Sequence, residues 1–192
     1  VDPNRFEKIL NLYAPLVWRS ARTKTNMTPE QYSRLTSSIY GKAPARLLVF
    51  GCGLDSVLWS ELNQGGQTVY LEDDLRWKQA GESAGLTVVE VHYESKLNVW
   101  LEDVRLPFGC TCSWMEVPWD IILVDGPLGV GAGPGREQSI YTAGYFRNKS
   151  GSLIYVHDYE RDWERVCCDK YLGPPTSCLG NLASWDRKAE FQ

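Results

Sequence analysis

The sequence predicts an α/β domain built on a mostly parallel central sheet flanked by helices. Three observations predict it. Short β-rich runs recur along the chain, each nearly all apolar, as strands covered on both faces should be. Amphipathic segments separate them, the alternation expected of βαβ units. Glycines and acidic residues cluster directly after the runs, where an open α/β sheet places its ligands.

Taken in order, the first 20 residues and "PEQYSRLTSSIY" (29–40) read as helices ahead of the first strand, "RLLVF" (46–50). A helix over 55–63 leads to "QTVYL" (67–71), and one over 74–84 leads to "LTVVEV" (86–91). "DIILV" (120–124), a helix over 136–147 and "SLIYV" (152–156) follow. The last 25 residues offer a closing antiparallel hairpin, interrupted by Pro174 and Pro175. The expectation is one domain over 1–192, with a helical N-terminal segment (1–44) and an α/β core (45–192). A chain of 192 residues, 43% hydrophobic, is long enough to bury one such core.

Charge narrows the partners. A net charge of −4 and a pI near 5.3 provide no basic stripe to neutralise a nucleic-acid backbone, so DNA and RNA are not expected partners. No apolar run approaches the ~20 residues of a membrane span, and Val1 opens no signal-peptide pattern. The six cysteines (52, 110, 112, 167, 168, 178) lack paired zinc spacing, and their even number also suits a partly oxidised secreted domain. Two sequons, at Asn26 and Asn148, are compatible with a secretory lumen.

Gly51 and Gly53 in "GCGLDS" let the backbone approach a ligand, with a helix starting near Asp55 and Ser56 aiming amide donors at it. Glu72 closes the next strand about twenty residues on, where a carboxylate can bridge two ribose hydroxyls, and Asp73 follows it. Ser56 stands where a dinucleotide fingerprint needs its third glycine, which favours S-adenosylmethionine over NAD. The bland alternative is a β–α turn with Asp55 as helix cap.

"DGPLGVGAGPGRE" (125–137) is glycine-rich but ends in Gly135-Arg136-Glu137, not the Gly-Lys-Ser/Thr of a phosphate loop. It reads instead as the wall of an acceptor site. Asp125 is placed to be a general base or a cofactor partner, and Arg136 to hold a carboxylate; a turn-closing Asp and a surface Arg are the alternatives. His157 and Asp158 end the fifth strand at the same sheet edge as Asp125, a cluster able to deprotonate a hydroxyl or bind a divalent cation. His92 belongs near an adenine pocket or in the core.

"LLVFGCGLDSVLWSELNQGGQTVYLEDD", "WDIILVDGPLGVGAGPGREQSIYTAG" and "VHDYER" together resemble the plant and algal polysaccharide methyltransferases of the DUF579 family, from about Arg46 to Cys168. That family includes glucuronoxylan and arabinogalactan glucuronic acid 4-O-methyltransferases. The resemblance implies a Rossmann-like methyltransferase fold, S-adenosylmethionine as donor and a glucuronosylated wall polysaccharide as acceptor. It also implies action in the Golgi lumen, where the family's members usually carry an N-terminal anchor, a segment not expected within these 192 residues.

By position, the resemblance puts Gly51, Gly53 and Glu72 on the cofactor and Asp125, Gly135, Arg136, His157 and Asp158 in the reaction site. The chain departs from the family's Gly-Leu-Gly-His-Asp at Cys52 and Leu54, and from its His-Asp-Val-Asp-Arg at Tyr159 and Glu160. With the reading from the residues, the expected catalytic group is Asp125, His157 and Asp158. Cofactor contacts are expected from Gly51, Gly53, Asp55, Ser56, Glu72, Asp73 and Asp125, and acceptor contacts from Gly135, Arg136, Glu137 and Tyr141. A divalent metal is not favoured. The resemblance leaves a second possibility, a non-catalytic accessory protein of xylan biosynthesis.

Overall fold

The computed structural model describes residues 3–20, 27–106, 117–150 and 152–186. Two helices, α1 (Pro3–Ser20) and α2 (Pro29–Lys42), precede the sheet. Thr28 caps α2 in a reciprocal capping box with Gln31. The alternating core follows: β1 (Arg46–Phe50), α3 (Ser56–Leu62), β2 (Gln67–Glu72), α4 (Leu75–Ser83), β3 (Val88–Glu90), β4 (Ile121–Val124), α5 (Glu137–Ser150), β5 (Leu153–Val156) and α6 (Asp162–Tyr171). A hairpin of β6 (Ser177–Leu179) and β7 (Leu182–Trp185) closes the chain.

The strands form one seven-stranded sheet in the order β3-β2-β1-β4-β5-β7-β6. β1 to β5 are parallel, and β7 runs antiparallel to both β5 and β6. Because side chains alternate along a strand, each strand feeds two cores. Leu47, Val49, Ile121 and Leu123 pack with Leu35, Ile39, Leu58 and Trp59 of α2 and α3. Leu48, Phe50, Ile122 and Val124 pack with Ile140, Phe146 and Cys167 of α5 and α6. This two-sided burial is why the strands read as unbroken apolar runs.

Three details differ from the sequence reading. The third strand is shorter, confined to 88–90. The C-terminal hairpin forms, because Pro174 and Pro175 fall in the connection before β6 and take no ladder position. Helix α6 was not anticipated: its inward stripe includes Trp163, Cys167 and Cys168, and cysteines weighed for redox chemistry serve here as small buried hydrophobes. Cys52, Cys167, Cys168 and Cys178 are free thiols, while Cys110, Cys112 and Asn26 lie outside the described residues. Among the described residues no helix is long and apolar enough to cross a membrane.

Candidate active site

The chain order reverses between β1 and β4, which both point their carboxyl ends at one crevice. Two glycines let these strand tips close on each other. Gly51 has φ +100°, and a Cβ on Gly126 would lie 2.7 Å from the Gly51 Cα. Larger residues would force the tips apart and move Asp125, whose N–H donates to the Phe50 carbonyl at 3.0 Å.

A cavity of about 580 Å³ opens over these tips, a size that suits a nucleoside-bearing ligand. Of the residues that sequence marks for cofactor contact, Gly51, Gly53, Asp55, Glu72, Asp73 and Asp125 line it; Ser56 does not. Ser56 is buried and its hydroxyl accepts the Gly53 N–H at 2.9 Å, so it shapes the loop from behind. The Glu72 carboxylate accepts three backbone N–H groups, from Cys52, Asp73 and Asp74, at 2.6, 2.9 and 2.7 Å. It therefore fixes the loop from the end of β2, besides facing the cavity.

The cavity wall is strongly acidic. Asp55, Glu72, Asp73, Asp74 and Asp125 meet a single lining cation, Arg136, which is already paired. Crowded, partly desolvated carboxylates resist ionising. Burial pushes Asp55 up to about 6, with Asp125 adding to the shift, and burial likewise raises Glu72 and Asp73. Such a wall favours a ligand that brings positive charge and hydroxyl donors, and repels a pyrophosphate.

Asp125 leads from this cavity into the network behind it. His157 Nδ1 lies 2.9 Å from Asp125 Oδ1 and 3.6 Å from Asp158 Oδ2. Burial works to raise Asp125, but the His157 hydrogen bond and the fields of His157, Arg136 and Arg161 outweigh it and hold the carboxyl below its usual value. Asp158 has φ +62°, a left-handed conformation that a non-glycine residue keeps only where surroundings enforce it. Its Oδ2 lies 3.0 Å from both Arg136 Nη2 and Arg161 Nη1.

A second cavity, about 410 Å³, shares Gly53, Asp55, Trp77, Asp125, Leu128 and Arg136 with the first. Met27, Tyr32, Leu54, Gly129, Val130, His157, Asp158 and Arg161 complete its lining. Its rim is apolar and open, with Leu54, Trp77, Leu128 and Val130 all exposed. Tyr32 on α2 donates to Asp55 Oδ2 at 3.2 Å, so the N-terminal helices help to build this side of the site.

Of the acceptor contacts expected from sequence, Arg136 lines both cavities, whereas Gly135, Glu137 and Tyr141 line neither. Arg136 is 5% exposed, and its guanidinium donates to the carbonyls of Pro127, His157 and Asp125 at 3.1, 2.7 and 3.1 Å besides pairing with Asp125 and Asp158. A group so engaged braces the loop from inside. Glu137 is fully buried, accepting the Tyr171 hydroxyl and the Leu101 N–H. Gly135 makes a turn at φ +75° under Trp163, and Tyr141 packs edge-on against Tyr171; neither lines the two cavities.

His92 is exposed, 3.5 Å from Glu90, and lines a neighbouring hollow with Asp73. Tyr145 has the Tyr-x-x-x-Lys spacing of a nicotinamide-linked sugar oxidoreductase, but it is exposed on α5 and lines none of these cavities. The residues that sequence reasoning missed are Tyr32, Trp77 and Arg161. Trp77 carried a faint signal, an aromatic in the first turn of a helix that starts just beyond the β2 acids.

Ligand atoms of Asp125, His157 and Asp158 lie within 4.8 Å of one another, the reach of a three-donor metal site. The donor set fits a divalent cation poorly. Two guanidiniums already contact Asp158 Oδ2, so an ion there would meet two positive charges or displace them.

This strand order, with its crevice at the β1 and β4 tips, defines a Rossmann-like S-adenosylmethionine-dependent methyltransferase fold. An O-methyltransferase from Bacillus cereus, solved in complex with SAH, shares it with a TM-score of 0.51 at 14% identity, over 97% of this chain and 92% of that one. The chain belongs to the IRX15/IRX15L/GXM family, whose profile matches residues 30–106 and 102–182. It is 35% identical over 182 residues to glucuronoxylan 4-O-methyltransferase 1 of Arabidopsis thaliana, covering 76% of this chain and 64% of that protein. It is 34% identical over 170 residues to protein IRX15-LIKE of the same plant, covering 72% and 52%. The chain thus spans between half and two thirds of the length of these relatives.

Proposed function

We propose that the protein transfers a methyl group from S-adenosylmethionine to the 4-hydroxyl of a glucuronic acid side group on a cell-wall polysaccharide of the glucuronoxylan or arabinogalactan type. The observation that carries this reading is the pair of contiguous cavities meeting at Asp55 and Asp125. The first suits the cofactor: glycines permit close approach, Glu72 and Asp73 stand at the β2 end for ribose hydroxyls, and the acidic wall complements a sulfonium. The second suits a sugar, whose apolar ring face can lie on Trp77 while its hydroxyls meet the carboxylates.

Held among Gly51, Gly53, Glu72 and Asp73, S-adenosylmethionine would supply an electrophilic methyl group whose leaving group is a neutral thioether. The chain's own work is on the hydroxyl. As the new O–CH3 bond forms, the hydroxyl proton must go to a base. Asp125 faces both cavities and takes that role. His157, only 2% exposed, supports it from behind through the 2.9 Å contact. Asp158 and Arg136 fix the imidazole and the strand tip in place.

The reading carries with it a Golgi-lumen location. It rivals a non-catalytic accessory role in xylan deposition, and the similarity to IRX15-LIKE keeps that alternative in view. Calorimetric titration with S-adenosylmethionine, with NAD in parallel, separates the two. Binding of the sulfonium cofactor alone, followed by incorporation of labelled methyl into glucuronosyl oligosaccharides, supports the enzyme. Absence of cofactor binding supports the accessory role.

A further inference from the structure

An acceptor that carries a carboxylate needs a cation at the second cavity, and Arg136, the residue that sequence suggests, is spent inside the loop. We propose that Arg161 is the specificity-determining residue that holds the uronate carboxylate, an assignment that rests on the proposed acceptor. Arg161 lines the second cavity and not the first. Its side chain is 26% exposed, against 6% for Arg136.

Pairing separates the two arginines further. The one ionic contact of Arg161 among the described residues is from Nη1 to Asp158 Oδ2, an oxygen it shares with Arg136. The rest of its fork keeps N–H donors for a planar carboxylate, the geometry in which guanidinium binds bidentately. Glu164, the other carboxylate near it, is 1% exposed with both oxygens lacking a hydrogen-bond partner, and burial shifts it towards the neutral acid.

Placement matters as much as charge. Asp158 contacts both Arg161 and His157, the imidazole in turn meets Asp125, and all four residues line the second cavity, so a carboxylate held by Arg161 shares that cavity with the proposed base. On a glucuronosyl ring the carboxylate stands on the carbon next to the one bearing the 4-hydroxyl. Holding one group therefore aims the other, which is much of what an in-line transfer requires.

The test compares a glucuronosyl oligosaccharide with its carboxyl-reduced glucosyl counterpart as methyl acceptors. Wild type should prefer the uronate about ten- to a hundredfold in kcat/KM, the scale of a charge-assisted hydrogen-bonded pair. Arg161→Met should abolish that preference by raising KM for the uronate alone, with S-adenosylmethionine affinity unchanged. Arg161→Lys, which keeps the charge beside Asp158, should retain only part of the preference and guards against a folding defect in the first variant. Wild-type preference in either variant would overturn the assignment. Methylation by wild type of both acceptors equally, or of neither, would instead refute the proposed uronate acceptor itself.

Discussion

His157 Nδ1 sits 2.9 Å from Asp125 Oδ1, joining an almost fully buried imidazole to a carboxylate that faces both cavities. Both line the second cavity, but only Asp125 also lines the first. The account predicts that Asp125→Asn lowers kcat by about 10²–10⁴ while leaving cofactor affinity within a fewfold. His157→Asn should give a smaller loss, since it removes support and not the base. Single-turnover rates at saturating cofactor measure both.

Asp55 presents a pH test whose sign follows from its raised pKa. A folded value of about 6 against an ordinary 3.8 means that the folded state binds the proton more tightly than the unfolded one. Its contribution to stability is present below about pH 4 and is lost as pH rises through about 6. Asp55→Asn cannot ionise, so its melting temperature should exceed that of wild type at pH 7.5 and converge with it near pH 4. Bound sulfonium should relieve the same repulsion, making wild-type cofactor affinity climb as pH rises through about 6. A flat profile would remove Asp55 from the cofactor wall.

Arg136 and Arg161 should fail in different ways. Arg136→Met strands three backbone carbonyls and two carboxylates inside the protein, a loss of about 3–5 kcal/mol for breaking a buried ion pair. Chemical denaturation should report that loss whether or not acceptor is present. A stable Arg136→Met enzyme that is deficient only in uronate binding would restore the sequence-based assignment of Arg136.

Gly126→Ala tests the closure of the strand tips. A methyl 2.7 Å from the Gly51 Cα must push β1 and β4 apart, because the obstacle is backbone. Cofactor affinity should fall about tenfold or more, by the logic that small displacements at a site are costly. Calorimetry on the folded variant reads this directly.

The fold was legible because both sheet faces are covered, which leaves β1, β2, β4 and β5 as apolar runs with chemistry at their ends. Gly51, Glu72, Asp125 and His157 were legible for the same reason: strand-end position alone brings them together. Arg136 shows where that logic stops. Sequence marks an arginine after a glycine loop, but whether it faces the ligand or the loop's own carbonyls is decided by how the loop folds back on β5. Tyr32 and Trp77 reach the site from helices outside the motif stretches, and the cysteine content of α6 hid its amphipathic stripe.

The most direct test of the central claim is to react the protein with methyl-labelled S-adenosylmethionine and a glucuronosyl oligosaccharide and to map the methylated position. The account predicts label on the 4-oxygen of the uronate, lost in Asp125→Asn. Label on any other position, or no transfer by a protein that binds the cofactor, would contradict it.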